Sequence, residues 1–234
     1  MPEVYTITDQ ERMTRAANYF AWQHRLAAPE LGRRIIEVGC GIGNFTGSVL
    51  DREVVIATDV EPACCDRLQE RYPSQSNLHV TVCAPGSRAF ADLERWRPDT
   101  CVCLNVLEHI EDDRQALEAM AAVLVPAGRV LLLVPAFQAL YGPIDRNLCH
   151  YRRYDRPRIA TLAAVAGMRV EKLHYVNAIG FFGWWVNAHI LRREAQSAGQ
   201  IEIFDRWVVP WLSRLEAMAP PPFGQSLFAI LRKP

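Results

Sequence analysis

Apolar positions along the chain come in short blocks set between stretches of helical period. R-R-I-I-E-V (33–38), V-V-I-A-T-D (54–59), L-H-V-T-V-C (78–83), T-C-V-C-L-N (100–105) and R-V-L-L-L-V-P (129–135) are near-continuous apolar runs. Runs of this kind, rather than strict alternation, predict strands buried on both faces, as in a parallel sheet. Between them the pattern predicts helices. Residues 10–28 carry Tyr19, Phe20, Trp22 and Leu26 among polar neighbours, and Pro29 and Gly32 end the run. N-F-T-G-S-V-L (44–50) starts a second helix, Pro62 opens a third over 62–72, and D-D-R-Q-A-L-E-A-M-A-A-V-L (112–124) is a fourth, stopped by Pro126 and Gly128. After residue 136 the pattern changes. A polar, Arg-rich loop (142–158) leads to a helix over 158–166, ended by Gly167, then strands over 168–176 and 226–233. Residues 177–222 lie between those strands, too long for a turn, so they must carry helices of their own. There Phe204, Trp207, Val208, Trp211, Leu212 and Leu215 recur at helical spacing, with Pro210 as a kink point.

Alternating strands and helices point to a parallel sheet covered on both faces, with ligands expected outside the carboxyl ends of the strands. The 234 residues suit a single domain, 1–234, divided into an N-terminal helix (10–28), a core (33–176 plus 223–234) and a helical insert (177–222). Lys plus Arg and Asp plus Glu are 26 each, so the chain lacks the basic excess of a general nucleic-acid binder. Seven cysteines contain no C-x-x-C pair, which predicts reduced, buried thiols rather than a zinc or redox site. The N-terminus lacks the basic start and apolar core of a signal peptide, and no apolar run reaches the ~20 residues of a membrane span. A cytoplasmic protein is expected.

I-E-V-G-C-G-I-G-N-F (36–45) places three glycines directly after the first strand. Each costs backbone entropy, so a ligand lying against the main chain is expected there. A dinucleotide turn wants G-x-G-x-x-G. Here the third glycine comes one place early, and Asn44 stands where a dinucleotide site has glycine.

E-V-G-C-G-I-G-N-F resembles the first motif of class I S-adenosylmethionine-dependent methyltransferases. A-T-D-V-E-P (57–62) is similar to their second-strand acidic motif, L-N-V-L-E-H-I (104–110) to their fourth-strand motif, and G-R-V-L-L-L-V-P (128–135) to their fifth strand. The resemblance implies a Rossmann-like, seven-stranded, mostly parallel sheet with helices on both faces, the last strand antiparallel and a helical insert before it. It implies S-adenosyl-L-methionine as donor, S-adenosyl-L-homocysteine as product, and methyl transfer to a small-molecule acceptor. On the donor side it points to Tyr19, Glu37, Gly39, Cys40, Gly41, Asn44, Phe45, Asp59, Val60, Cys83, Ala84, Asn105, Val106 and His109. Asp59 would take the ribose hydroxyls and Glu37 the ammonium. Where many relatives have an acid for the adenine amino group, this chain has C-A-P (83–85), so backbone and apolar contacts would hold the adenine. Taken singly, Asp59 is equally a cap for the helix after it, and Glu37 a partner for an arginine. An NAD(P)-dependent oxidoreductase and a non-catalytic binder of the donor remain the alternatives.

For the acceptor, Y-G-P-I-D-R-N-L-C-H-Y-R-R-Y (141–154) resembles a segment bordering the acceptor pocket in small-molecule methyltransferases, with Cys149 in place of a glycine. His150 is the candidate base, because imidazole is neutral near pH 7 and can take a proton. Tyr151 and Tyr154 are further catalytic candidates. Tyr141, Asp145, Arg146 and Arg153 are candidates for holding the acceptor, with a solvated or structural loop as the alternative. No metal is required by the pattern: Asn105, Glu108, Glu111 and Asp112 do not make the ligand set of metal-dependent catechol-type relatives. Trp184 and Trp185 head a Trp-rich insert that either completes the core, buries a homodimer surface, or reaches an apolar or lipid-linked acceptor at a membrane surface. A monomer or homodimer without nucleic acid is expected.

Overall fold

A computed structural model describes residues 10, 11, 13–193 and 198–234; residues 1–9 of the expected domain lie outside it. Seven strands form one sheet: β1 (Arg34–Val38), β2 (Val54–Asp59), β3 (Leu78–Val82), β4 (Thr100–Leu104), β5 (Arg129–Pro135), β6 (Arg169–Val176) and β7 (Ser226–Arg232). The helices between them are α1 (Ala17–Ala27), α2 (Pro62–Arg71), α3 (Arg88–Ala91), α4 (Asp113–Val123), α5 (Pro143–Asn147), α6 (Arg156–Val165), α7 (Ala178–Trp185), α8 (Ala198–Ile203) and α9 (Val209–Met218). The spatial order is β3-β2-β1-β4-β5-β7-β6, parallel throughout except for β7, which runs antiparallel to both neighbours. This is the Rossmann-like seven-stranded sheet expected, with the helical insert in its expected place.

Successive residues of each strand enter opposite layers, as the pleat requires. Ile36, Ile56, Cys101 and Leu132 face one core with Leu117 and Met120 of α4 and Ile159 of α6. Ile35, Val55, Val102 and Leu131 face the other core with Trp22 of α1, Phe45 and Val209 of α9. The insert's last helix therefore completes the second layer. Strand order reverses between β1 and β4, and the crevice at their carboxyl ends is where such sheets bind ligands. All seven cysteines are unpaired and six are buried, as expected.

Three expected elements differ. The helix over 10–28 is interrupted: Thr14 and Arg15 form a turn, and the regular helix begins at Ala17. No full helix follows the glycines; Thr46–Val49 is a single 3-10 turn. Thr46 and Val49 are β-branched, and Gly47 lies under the Tyr72 hydroxyl, so neither propensity nor space favours a longer helix. The loop over 142–158 contains α5, opened by Pro143, with the Asp145 carboxylate accepting the Gly142 N–H at 3.0 Å.

Candidate functional site

Gly39, Gly41 and Gly43 all adopt left-handed φ, at 71°, 51° and 85°. A Cβ at Gly39 would collide with Val106 after β4, and one at Gly43 with Leu68 of α2. Two of the three glycines are thus demanded by the chain's own packing as well as by any ligand. The turn is tied to β2: the Gly41 N–H donates to Asp59 Oδ2 at 2.8 Å, and the Glu61 N–H to Asp59 Oδ1 at 3.0 Å. The cap of α2 is Glu61, whose carboxylate accepts from Ala63, so Asp59 is not that helix's cap. Its carboxylate lies beside the turn, partly open to solvent, with acceptor capacity left.

Glu37 is 4% exposed, and its Oε2 is buried with no hydrogen-bond partner. No ion pair to an arginine reaches it among the described residues. Burial pushes its carboxyl up to about 8, with the charge of Asp59 adding to the rise. Thr46 Oγ1 is buried on the same turn, near enough to Glu37 to offset part of that rise. Tyr19 comes over from α1, its hydroxyl paired with Gln23 and Asn105, and burial raises its pKa. Asn105 itself holds a left-handed φ of 56° and donates its N–H to Leu133 at 2.7 Å. Cys40 is buried against Cys65, Cys83 is buried at the end of β3, Ala84 is half-buried and Val60 is exposed beyond Asp59.

Two donor-side expectations need correction. Asn44 is spent on the protein: its amide accepts from Thr14 at 3.1 Å and donates to the Gln10 carbonyl at 3.2 Å. The Phe45 ring lies in the second core rather than in the crevice.

On the acceptor side, Asp145 is wholly buried and organises its surroundings. Its Oδ1 meets His150 Nδ1 at 3.0 Å and accepts from Arg153 Nε at 2.8 Å, while Oδ2 accepts from Trp184 Nε1 at 3.2 Å. Burial pushes this carboxyl up, but its bonds to His150 and Arg153 outweigh that and hold it below the usual carboxylate range. Asp145 and Arg153 are therefore not contacts for an acceptor. Arg153 is buried, bonded also to the Ala136 carbonyl at 3.1 Å and stacked 4.7 Å over Trp184. Trp184 is buried in this cluster and is not placed to enter a membrane; Trp185 is exposed. Tyr154 is also corrected. It has no exposure, and its hydroxyl bonds the Leu107 carbonyl and Asp113 Oδ2, both at 3.1 Å. It ties the segment after β5 to α4 and cannot meet a substrate. Arg152 and Arg158 are likewise paired with Asp113. Tyr141 donates to the His150 carbonyl at 2.7 Å, and Arg146 and Tyr151 are exposed.

His150 stands edge-on to His109, ring centroids 4.6 Å apart, and Glu108 completes a group whose nearest ligand atoms all lie within 4.8 Å of one another. Glu108 is 1% exposed and its Oε2 has no partner. Burial raises its carboxyl to about 7, and burial lowers the His109 imidazole to about 4 with His150 adding to the fall. The segment after β4 thus brings a buried acid and one imidazole together with a second imidazole, His150, from the segment after α5.

Residues 36–130 match a family described as a methyltransferase domain. A relative from Mycolicibacterium smegmatis, a probable S-adenosylmethionine-dependent methyltransferase, is 28% identical over 182 residues, 73% of this chain and 68% of its own. Together these likenesses support a class I S-adenosylmethionine-dependent methyltransferase. A ubiquinone biosynthesis O-methyltransferase from Ralstonia nicotianae is 26% identical over 160 residues, 62% of this chain and 67% of its own. The solved N-methyltransferase NodS from Bradyrhizobium japonicum, in complex with S-adenosyl-L-homocysteine, superimposes with a TM-score of 0.56 at 17% identity, covering 97% of this chain and 87% of that one. The methyltransferase takes S-adenosylmethionine as its donor, and the oxidoreductase alternative falls away.

One role and one residue of the methyltransferase site escaped the sequence pattern. Asp145 orients His150 instead of touching an acceptor, and only its place five residues before the histidine hints at that. Gln10 accepts from Ile42 N at 2.9 Å, fastening the N-terminal segment to the glycine turn. No spacing rule announces a contact across 32 residues.

Proposed function

We propose that this methyltransferase transfers the donor's methyl group to a hydroxyl oxygen of a small, largely apolar molecule. The donor supplies an electrophilic methyl on a sulfonium. Glu37, Asp59 and the backbone of Gly39 and Gly41 would hold its amino-acid and ribose parts. Asn105 and Val106 would lie beneath the methionine part, and Val60, Cys83 and Ala84 against the adenine. The fit rests on Glu37: a buried carboxylate oxygen without a partner suits an ammonium, since an unpaired buried acid is costly.

The observation that carries the oxygen reading is the Asp145–His150 pair. Asp145 holds Nδ1 of His150 at 3.0 Å, which fixes the ring and leaves Nε2 as the nitrogen that can take a proton. In the transfer the acceptor's O–H proton goes to His150, the new O–CH3 bond forms as the S–CH3 bond breaks, and a neutral thioether leaves. A base matters for a hydroxyl nucleophile, and positioning supplies much of the remaining rate. The likeness to ubiquinone O-methyltransferases supports an apolar hydroxylated acceptor.

Calorimetry with S-adenosylhomocysteine and NAD, on wild type and Asp59→Ala, tests the donor half. Micromolar binding of the first, lost in the variant, with no NAD binding, is expected. Transfer of labelled methyl to a panel of phenols and sugars tests the acceptor half. His150→Asn should cut kcat on hydroxyl acceptors about 100-fold or more while S-adenosylhomocysteine binding stays within a few-fold. Unchanged kcat would remove the base from the reading.

A further inference from the structure

We propose that Glu108, His109 and His150 form a site for one divalent first-row transition-metal ion. The three belong to two separate segments, one following β4 and one following α5, yet the ligand atom each offers lies within 4.8 Å of the other two. Around a tetrahedral zinc, ligand atoms lie roughly 3.3 Å apart, so side-chain rotations of about 1 Å close the set. Two imidazoles and one carboxylate are the donors that suit Zn2+, Fe2+ and Co2+, and a three-ligand set leaves positions open.

Three observations support a cation here beyond the clustering. First, Glu108 is 1% exposed and its Oε2 has no hydrogen-bond partner, an arrangement that burial makes costly unless a positive charge arrives. Second, Arg153, the buried guanidinium nearby, is committed to Asp145 and the Ala136 carbonyl. Third, both imidazoles have outer partners of the kind that orient metal-bound histidines. His150 meets Asp145 through Nδ1 at 3.0 Å, and His109 bonds the Leu148 carbonyl. Sequence spacing around the fourth strand misses the set because His150 lies 42 positions after Glu108 in the chain.

The inference deepens the proposed oxygen transfer and rests on that reading only for the ion's use. A bound ion would accept the acceptor's oxygen at an open position and lower its pKa, taking over from His150 the task of exposing the alkoxide or phenolate. With the ion bound, the proton would leave to solvent and His150 would serve as a ligand; in the metal-free protein His150 takes the proton.

The test uses chelator-treated, full-length protein titrated with Co2+ and then Zn2+. Visible absorption and calorimetry read the metal, and separate calorimetry with S-adenosylhomocysteine reads the donor site. One equivalent of Co2+ should bind with a d–d spectrum free of thiolate charge transfer, and Zn2+ should displace it. Glu108→Gln and His150→Asn should each weaken Co2+ at least tenfold, with S-adenosylhomocysteine binding showing that the variants fold. His189→Ala, an exposed histidine elsewhere, should change nothing. No Co2+ or Zn2+ binding below millimolar, binding indifferent to both cluster substitutions, or a thiolate band placing the ion at cysteines would each overturn the site. Loss of S-adenosylhomocysteine binding in wild type would instead strike the donor reading, which the metal titration does not address.

Discussion

Glu37 shows how a single side chain links stability to ligand binding. In the free protein burial and Asp59 raise its carboxyl from 4.5 to about 8. Between those values the folded chain holds a proton that the unfolded chain has released. Its contribution to stability is therefore present below pH ~4.5 and is lost as pH rises through about 8. An ammonium beside it favours the carboxylate, so binding near pH 7 should expel that proton. Calorimetry of S-adenosylhomocysteine at pH 7, in two buffers of different ionisation enthalpy, should show close to one more proton released by wild type than by Glu37→Gln. The variant should bind about 10–100-fold more weakly, in line with ~1.5–3 kcal/mol for a hydrogen bond to a charged group. Equal proton release by both proteins would mean that another group pairs with the ligand. Residues of this kind were legible because the acid adjoins a glycine turn whose geometry is local. Tyr154, Trp184 and Arg153 were not. Their types suit a pocket as well as a core, and only the fold shows that Asp113 and Asp145 claim them.

At the scale of elements, strands were readable almost to the residue, because a buried strand has to be apolar along its whole length. Helices were less so: the 3-10 turn after the glycines reflects the space taken by Tyr72, which lies 25 residues beyond Gly47 in the chain. The insert has a clear second pattern. Ile203, Trp207, Trp211 and Leu215, four apart along α8, a π-turn (Phe204–Val208) and α9, are each more than 60% exposed, and Met218 is more exposed still. Pro210 has no N–H to give the preceding turn, consistent with the wider π-turn just before it. The opposite side carries Val209 and Leu212 into the molecule. Arg206 and Arg214 lie over the exposed tryptophans, at 5.3 and 5.8 Å from the ring centres. Of the nearby acids, Asp205 and Glu216 are turned to backbone N–H groups, while Glu202 is exposed beside Ile203. We propose that this apolar, positively bordered stripe rests on anionic membrane lipid, bringing an apolar acceptor to the crevice. Vesicles containing phosphatidylglycerol should co-sediment the protein. Trp207→Ser with Trp211→Ser should abolish this, while 0.5 M salt should weaken it. Sedimentation indifferent to both substitutions would reject the idea, and a dimer that the substitutions convert to monomer would assign the stripe to a second copy instead.

Across the whole molecule, α1 and the insert form one roof over the sheet's second layer. The first residues of α1 have no cap of their own, since Ala16 offers no side-chain acceptor. Asp205, buried in the insert, supplies it: Oδ1 accepts from Tyr19 N at 2.8 Å, and Oδ2 from Asn18 N at 3.3 Å and Asn18 Nδ2 at 3.1 Å. A carboxylate at a helix N-terminus satisfies orphan donors and meets the positive end of the helix dipole. That cap sets where Tyr19 stands, and Tyr19 reaches Asn105 at the end of β4. The insert thus governs the wall of the donor crevice through one side chain. Replacing Asp205 with Ala should cost about 0.5–2 kcal/mol, a Tm loss of roughly 1–8 °C for a chain of this size. Amide exchange over Ala17–Ala27 should speed up, and S-adenosylhomocysteine should bind several-fold more weakly, with faster dissociation. Faster exchange with unchanged affinity would make α1 a passive cover. Weaker affinity without faster exchange would place the coupling elsewhere in the insert. The expected pair of changes would mean that whatever the insert's outer stripe touches is felt at the donor through Asp205 and Tyr19.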